Sequence, residues 1–96
     1  MKNKFWDNKS ILITGGTGSL GRKLTSHILN NFPEVRRVII YSRDEQKQFI
    51  MAQDYPINKY PQIRFLVGDV RDYLRLERAM SGVDYVIHAA AMKHVH

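Results

Sequence analysis

At 96 residues the chain has room for one hydrophobic core and too little for a nucleotide-binding domain beside a separate substrate domain. Hydrophobic residues at 44% and charged residues at 25% match an ordinary folded protein, not a disordered or fibrous one. The absence of cysteine excludes disulfides, thiolate zinc sites and cysteine nucleophiles, while the net charge of +6 leaves nucleic acid, an anionic surface or a phosphate-rich small ligand open as partners.

The 15 Lys and Arg are scattered, and no basic run is interleaved with aromatics as a single-strand binder requires, so nucleic acid is not the expected partner. The opening MKNKFWDNKS lacks the apolar core of a signal peptide, and no stretch approaches the roughly 18 apolar residues of a membrane helix. The expectation is a cytoplasmic protein without a membrane partner.

Apolar runs of strand length alternate with helical periods, which predicts parallel strands joined by crossover helices. Ser10 to Thr14 is the first strand. A glycine turn follows, then a helix over about 18–31 with Leu20, Leu24, Ile28 and Phe32 on one face, stopped by Pro33. Val35 to Ser42 is the second strand, its Val38-Ile39-Ile40 apolar without alternation, as in a strand covered on both faces. Asp44 caps a second helix to about Asp54 with Phe49, Ile50 and Gln53 on its packing face. A proline-bracketed loop from Tyr55 to Gln62 precedes the third strand, Ile63 to Val67. Asp72 then caps a helix to about Met80 with Leu74, Leu76 and Ala79 inward, and Gly82 ends it. The fourth strand is Asp84 to Ala91. The architecture expected is α/β, a Rossmann-type parallel sheet of order 3-2-1-4 with helices on both faces, the N-terminal half of a doubly wound fold. All of residues 1–96 belong to this one unit, and the open apolar edge of the fourth strand leads us to expect a longer protein.

Gly15, Gly18 and Gly21 form GxxGxxG directly after a strand and opening a helix, the context that makes this pattern specific. The first glycine permits a tight turn, the second lets a diphosphate approach the helix N-terminus, and the third lets the helix pack close on the sheet. Thr14, Thr17 and Ser19 add hydroxyls near that turn. At the end of the second strand an acid selects NAD and a basic residue accommodates the 2'-phosphate of NADP. Ser42 and Arg43 stand there, a hydroxyl followed by a guanidinium that suits a phosphate monoester, so NADP is the expected cofactor. Asp44 is better explained as a helix cap than as a ribose ligand, and Lys47 lies one turn further on. Gly68-Asp69-Val70 ends the third strand, where Asp69 would accept from the adenine amino group and Val70 pack on the ring. Ala89, Ala90 and Ala91 leave room at the end of the fourth, and Lys93 follows at the same edge.

TGGTGSLG, YSRDEQKQ, GDVRD and HAAAMKHV together resemble the extended short-chain dehydrogenase/reductases. Within them the sequence is most similar to the inverting UDP-N-acetylglucosamine 4,6-dehydratases of polysaccharide and flagellin-sugar synthesis. The resemblance runs from Ile11 to the end of the sequence. It implies that Thr17, Gly18, Ser19, Leu20, Ser42, Arg43, Asp44, Glu45, Gln46, Lys47, Asp69, Val70, Ala89 and Lys93 line an NADP site, with Lys93 also near a UDP-GlcNAc substrate. It further implies a lyase, homo-oligomeric as the full-length enzyme. Such an enzyme takes hydride from sugar C4, eliminates water across C5 and C6, and returns hydride to C6. The Thr-Asp-Lys group and Tyr-xxx-Lys pair that such enzymes use for proton transfer are not in the sequence, so no catalytic residue is carried over.

Tyr55 and Lys59 have YxxxK spacing, but Pro56 and Pro61 bracket them far from the expected nicotinamide end. His88, His94 and His96 lack a carboxylate or thiolate partner, so no metal site is assigned, and His88 is expected to be buried in its strand. Phe5 and Trp6 are expected to pack on the domain edge. An epimerase or reductase of the same superfamily and a non-catalytic nucleotide-binding module are the alternatives.

Overall fold

The structure, a computed structural model, describes residues 4–89. In chain order its elements are β1 (Ser10–Thr14), α1 (Ser19–Asn31), β2 (Arg37–Ser42), α2 (Glu45–Asp54), β3 (Ile63–Val67), α3 (Tyr73–Ala79) and β4 (Tyr85–His88). The four strands form one sheet of order β3-β2-β1-β4, and every pair is parallel. This is the first half of a Rossmann-type fold, as the alternation of strand and helix periods predicts.

Ile11, Leu12 and Ile13 of β1 are fully buried because both faces of the strand are covered. Ile11, Ile13, Val38 and Ile40 pack with Ile28 and Leu29 of α1 and Met51 of α2. Leu12, Ile39 and Tyr41 pack on the opposite side with Leu76 and Ala79 of α3 and with Val83 and Val86. Burying each such aliphatic side chain contributes about 1.5–3 kcal/mol, so the two central strands, β1 and β2, carry a large part of the stability.

The faces read in the sequence hold for α1 at Leu24, Ile28 and Phe32 and for α3 at Leu76 and Ala79, but not for α2. On α1 the buried residues are Gly21, Thr25, Ile28 and Leu29, while Leu20 is half exposed. At Gly21 a Cβ would lie 2.5 Å from the Gly16 Cα, so the helix approaches the turn through its glycine. The buried Thr25 hydroxyl donates to the Gly21 carbonyl at 2.8 Å. On α2 the inward residues are Gln48 and Met51, and Phe49 and Ile50 face outward. Gln48 turns inward because its amide donates to the Ser42 carbonyl, the Ser42 hydroxyl and the Leu66 carbonyl, at 3.1, 2.9 and 2.7 Å. On α3 Leu76 and Ala79 pack, whereas Leu74 is exposed. Asp44 and Asp72 cap α2 and α3 as expected, accepting from the backbone N–H of Lys47 and Arg75.

Strand β2 starts two residues later than Val35, which instead forms an antiparallel bridge with Asp7. Strand β4 ends at His88, and Ala90 and Ala91 lie outside the described residues. At the amino ends of the strands Trp6 meets Phe5, Tyr85 and Phe32 edge-on, which bears out the packing expected of it. Tyr55 caps α2 and packs on Tyr60, whose ring also lies 5.8 Å from the Lys59 ammonium.

Candidate functional site

A cleft of about 630 Å³ opens at the carboxyl ends of the strands, within the range of small-molecule sites. Four strand ends build it. After β1 the chain turns at Gly15, whose φ of 65° is in the left-handed region that favours glycine. Gly15 donates to the Tyr41 carbonyl at 2.9 Å and accepts from the Gly18 N–H at 3.1 Å, which closes the turn. Gly16, not part of the three-glycine pattern, is also tightly seated: a Cβ would meet Ile40 Cγ2 at 2.6 Å. No side chain caps α1 at Gly18, and its first turn holds no acid. The positive end of that helix therefore has no carboxylate of its own, whereas α2 and α3 are closed by their own aspartates.

At the end of β2, Ser42 is buried with its hydroxyl held by Gln48, and Arg43 is exposed. The Asp44 carboxylate is engaged in the α2 cap at 3.0 Å. At the end of β3, the Tyr41 ring fills the space in which a side chain on Gly68 would begin. Its hydroxyl donates to the Asp69 carbonyl at 3.2 Å, and burial pushes the phenol above its ordinary range.

The Asp69 carboxylate is held by Arg71. Arg71 Nε donates to Oδ1 and Oδ2 at 3.1 and 3.2 Å, Nη2 to Oδ2 at 2.7 Å, and the Arg71 backbone N–H to Oδ1 at 2.9 Å. Arg43 Nη1 lies 3.8 Å from Oδ2. These hydrogen bonds, the guanidinium's first, hold the Asp69 carboxyl well below the usual carboxylate range and raise Arg71 reciprocally. At the end of β4, His88 is exposed to the cleft and not buried as its strand suggests, with Nδ1 2.7 Å from the Thr14 hydroxyl.

Of the residues singled out in the sequence, Thr14, Gly15, Thr17, Gly18, Ser42, Arg43, Asp44, Lys47, Asp69 and Val70 line the cleft together. Ser19, Leu20, Gly21, Glu45, Gln46 and Ala89 do not line it, and Lys93 lies outside the described residues. Tyr41, Gly68, Arg71 and His88 line it without having been named for the cofactor. The DVRD spacing was a signal for Arg71, since an arginine two residues after a turn aspartate reaches back to it. Among the described residues no group of three potential metal ligands occurs, and no helix is long and apolar enough to cross a membrane.

Residues 11–96 match the family described as polysaccharide biosynthesis protein. Over 90 residues the chain is 54% identical to a Campylobacter jejuni UDP-N-acetylglucosamine 4,6-dehydratase (inverting), covering 94% of this chain and 26% of that protein. It is 48% identical over 90 residues to a Rickettsia bellii UDP-glucose 4-epimerase, covering 92% and 26%. Among solved structures, Pen from Bacillus thuringiensis superposes with a TM-score of 0.82 at 41% identity, covering 95% of this chain and 26% of that one. The Bordetella bronchiseptica enzyme WbmG, solved in complex with NAD, gives 0.67 at 27% identity, covering 93% and 27%. The chain thus spans about a quarter of the length of the curated relatives it matches.

Proposed function

The chain belongs to the polysaccharide biosynthesis protein family, and from that premise we propose that residues 1–96 are the NADP-binding portion of a cytoplasmic, homo-oligomeric nucleotide-sugar 4,6-dehydratase acting on UDP-GlcNAc. The observation that carries this reading is the cleft itself: a glycine turn leading into an uncapped helix, beside a strand end bearing Arg43.

The residues fit the cofactor. Gly16 and Gly21 keep side chains out of the turn, so a diphosphate reaches the α1 amides through Gly15 to Gly18. Ser42, Arg43 and Lys47 offer a hydroxyl and two cations to the 2'-phosphate, and no free acid competes at Asp44. Val70, exposed at the rim, supplies an apolar surface for the adenine. The bound nicotinamide supplies the hydride acceptor and donor that a 4,6-dehydration needs. This part of the chain binds and orients it; the residues that move protons belong to sequence beyond position 96 in this reading.

Calorimetric titration of the full chain with NADP and with NAD tests the cofactor assignment. Tighter binding of NADP, with Arg43→Ala removing the preference, is the expected result, and equal affinities in the unaltered protein would refute the role of Arg43. Mass spectrometry of UDP-GlcNAc incubated with the full-length enzyme that the proposal places around residues 1–96 tests the reaction. Loss of one water marks the dehydratase. The similarity to the Rickettsia bellii epimerase supports a second reading, in which the same cleft serves a nucleotide-sugar epimerase and the sugar changes configuration without a change in mass.

A further inference from the structure

The Asp69 carboxylate has two oxygens and about four lone-pair sites. Three Arg71 donors already make four close contacts with them: the backbone N–H, Nη2, and Nε shared between both oxygens. An adenine amino group would have to displace one of these to reach the carboxylate. Asp69 is therefore not the open acceptor its position suggests. It is the anchor of a guanidinium that lines the same cleft.

Around this anchor the charges are unequal. Arg71 is chelated, and Arg43 lies 3.8 Å from the same Oδ2, so one carboxylate gathers two guanidinium groups from the ends of two adjacent strands. The other acid of the cleft, Asp44, accepts the Lys47 N–H as a helix cap. Counting Lys47, the adenosine end carries three cations against two committed carboxylates. Arg71 retains unused N–H donors on Nη1, and its planar group is fixed by chelation before any ligand arrives.

We propose that Arg71 is a second phosphate-binding arginine of the cofactor site, held in place by Asp69, and that with Arg43 it forms a two-arginine clamp for the adenosine 2'-phosphate. The inference rests on the cofactor reading given above and adds a specificity-determining residue to it. A monophosphate ester near neutral pH carries close to two negative charges and three acceptor oxygens, enough for both arginines without breaking either contact to Asp69. Asp69 acts through Arg71 and Arg43 and is a positioning residue.

The test is the ratio of NADP to NAD affinity, measured by calorimetry on the full chain and on Arg71→Ala and Arg71→Lys, with circular dichroism to confirm folding. Arg71→Ala is expected to lower the ratio about tenfold, as for loss of one charge-assisted hydrogen bond, and Arg71→Lys to restore part of it. An equal loss for both cofactors would make Arg71 a structural or adenine-facing residue, and an unchanged ratio would give it no role; either overturns the clamp. Failure of the unaltered protein to bind either cofactor would instead strike the reading on which the clamp rests.

Discussion

A methyl group at position 21 would sit 2.5 Å from the Cα and carbonyl oxygen of Gly16, backbone that has nowhere to move while Gly16 itself rests on Ile40. Gly21→Ala is therefore expected to cost about 1–3 kcal/mol and to lower the melting temperature by several degrees, read by thermal unfolding. Gly68→Ala meets Tyr41 instead, a side chain that a second substitution can shorten. The double variant Gly68→Ala with Tyr41→Leu is expected to recover part of the stability that Gly68→Ala loses, and additivity in a double-mutant cycle would count against that contact. Asp69 offers a third case. Its carboxyl is lowered in the folded state, so the stabilisation from its contacts to Arg71 is present above the ordinary value of 3.8 and is lost only as pH falls below it, through the lowered folded value. In Arg71→Ala the Asp69 carboxyl should titrate nearer its ordinary value, observed by carbon-13 NMR. Of these residues Gly21 and Asp69 are legible in the sequence because motif spacing marks them. Tyr41 and Gly68 are not, since their meeting depends on the register of two strands 27 residues apart in sequence, Tyr41 pairing with Leu66 just before Gly68.

The helices show where periodicity informs and where it misleads. The starts of α2 and α3 follow directly from Asp44 and Asp72, because an aspartate before a helical run satisfies amides that nothing else reaches. Their inward faces are harder to read. The hydrophobic pattern favours Phe49 and Ile50 on α2, yet Gln48 is the residue that turns in, where its amide donates to three acceptors at the ends of β2 and β3. Gln48→Leu is expected to destabilise by about 1–3 kcal/mol despite its greater hydrophobicity, measured as a lower urea midpoint; a raised midpoint would show that the acceptors do not matter. Asp44→Ala separates cap from ligand. It should lower the melting temperature through loss of about 1 kcal/mol and leave the NADP to NAD ratio unchanged. A shifted ratio would put Asp44 against the ribose.

At the level of the whole molecule, the cleft position follows from one rule: in an open parallel sheet, ligands gather at the carboxyl ends of the strands where the connections diverge. That rule was applicable to the sequence because four strands and three helices alternate cleanly along it. The distribution of burial was less evident. The face of β1 and β2 under α1 and α2 carries ten buried residues in its cluster, the opposite face three, and α3 contributes none that is fully buried. Substitutions should divide accordingly. Ile40→Ala, at a fully buried position, is expected to cost about 2–5 kcal/mol, and Leu76→Ala, on the partly covered face, markedly less.

The uncapped start of α1 would tie the persistence of the folded chain to the proposed cofactor. A helix whose first turn lacks both a capping side chain and an acid would be completed by a diphosphate docked there, so that occupancy and fold reinforce each other. At a free cofactor concentration a hundred times its dissociation constant, this linkage is worth about 2.7 kcal/mol of resistance to unfolding. A loaded protein should therefore unfold at a higher temperature than the free one.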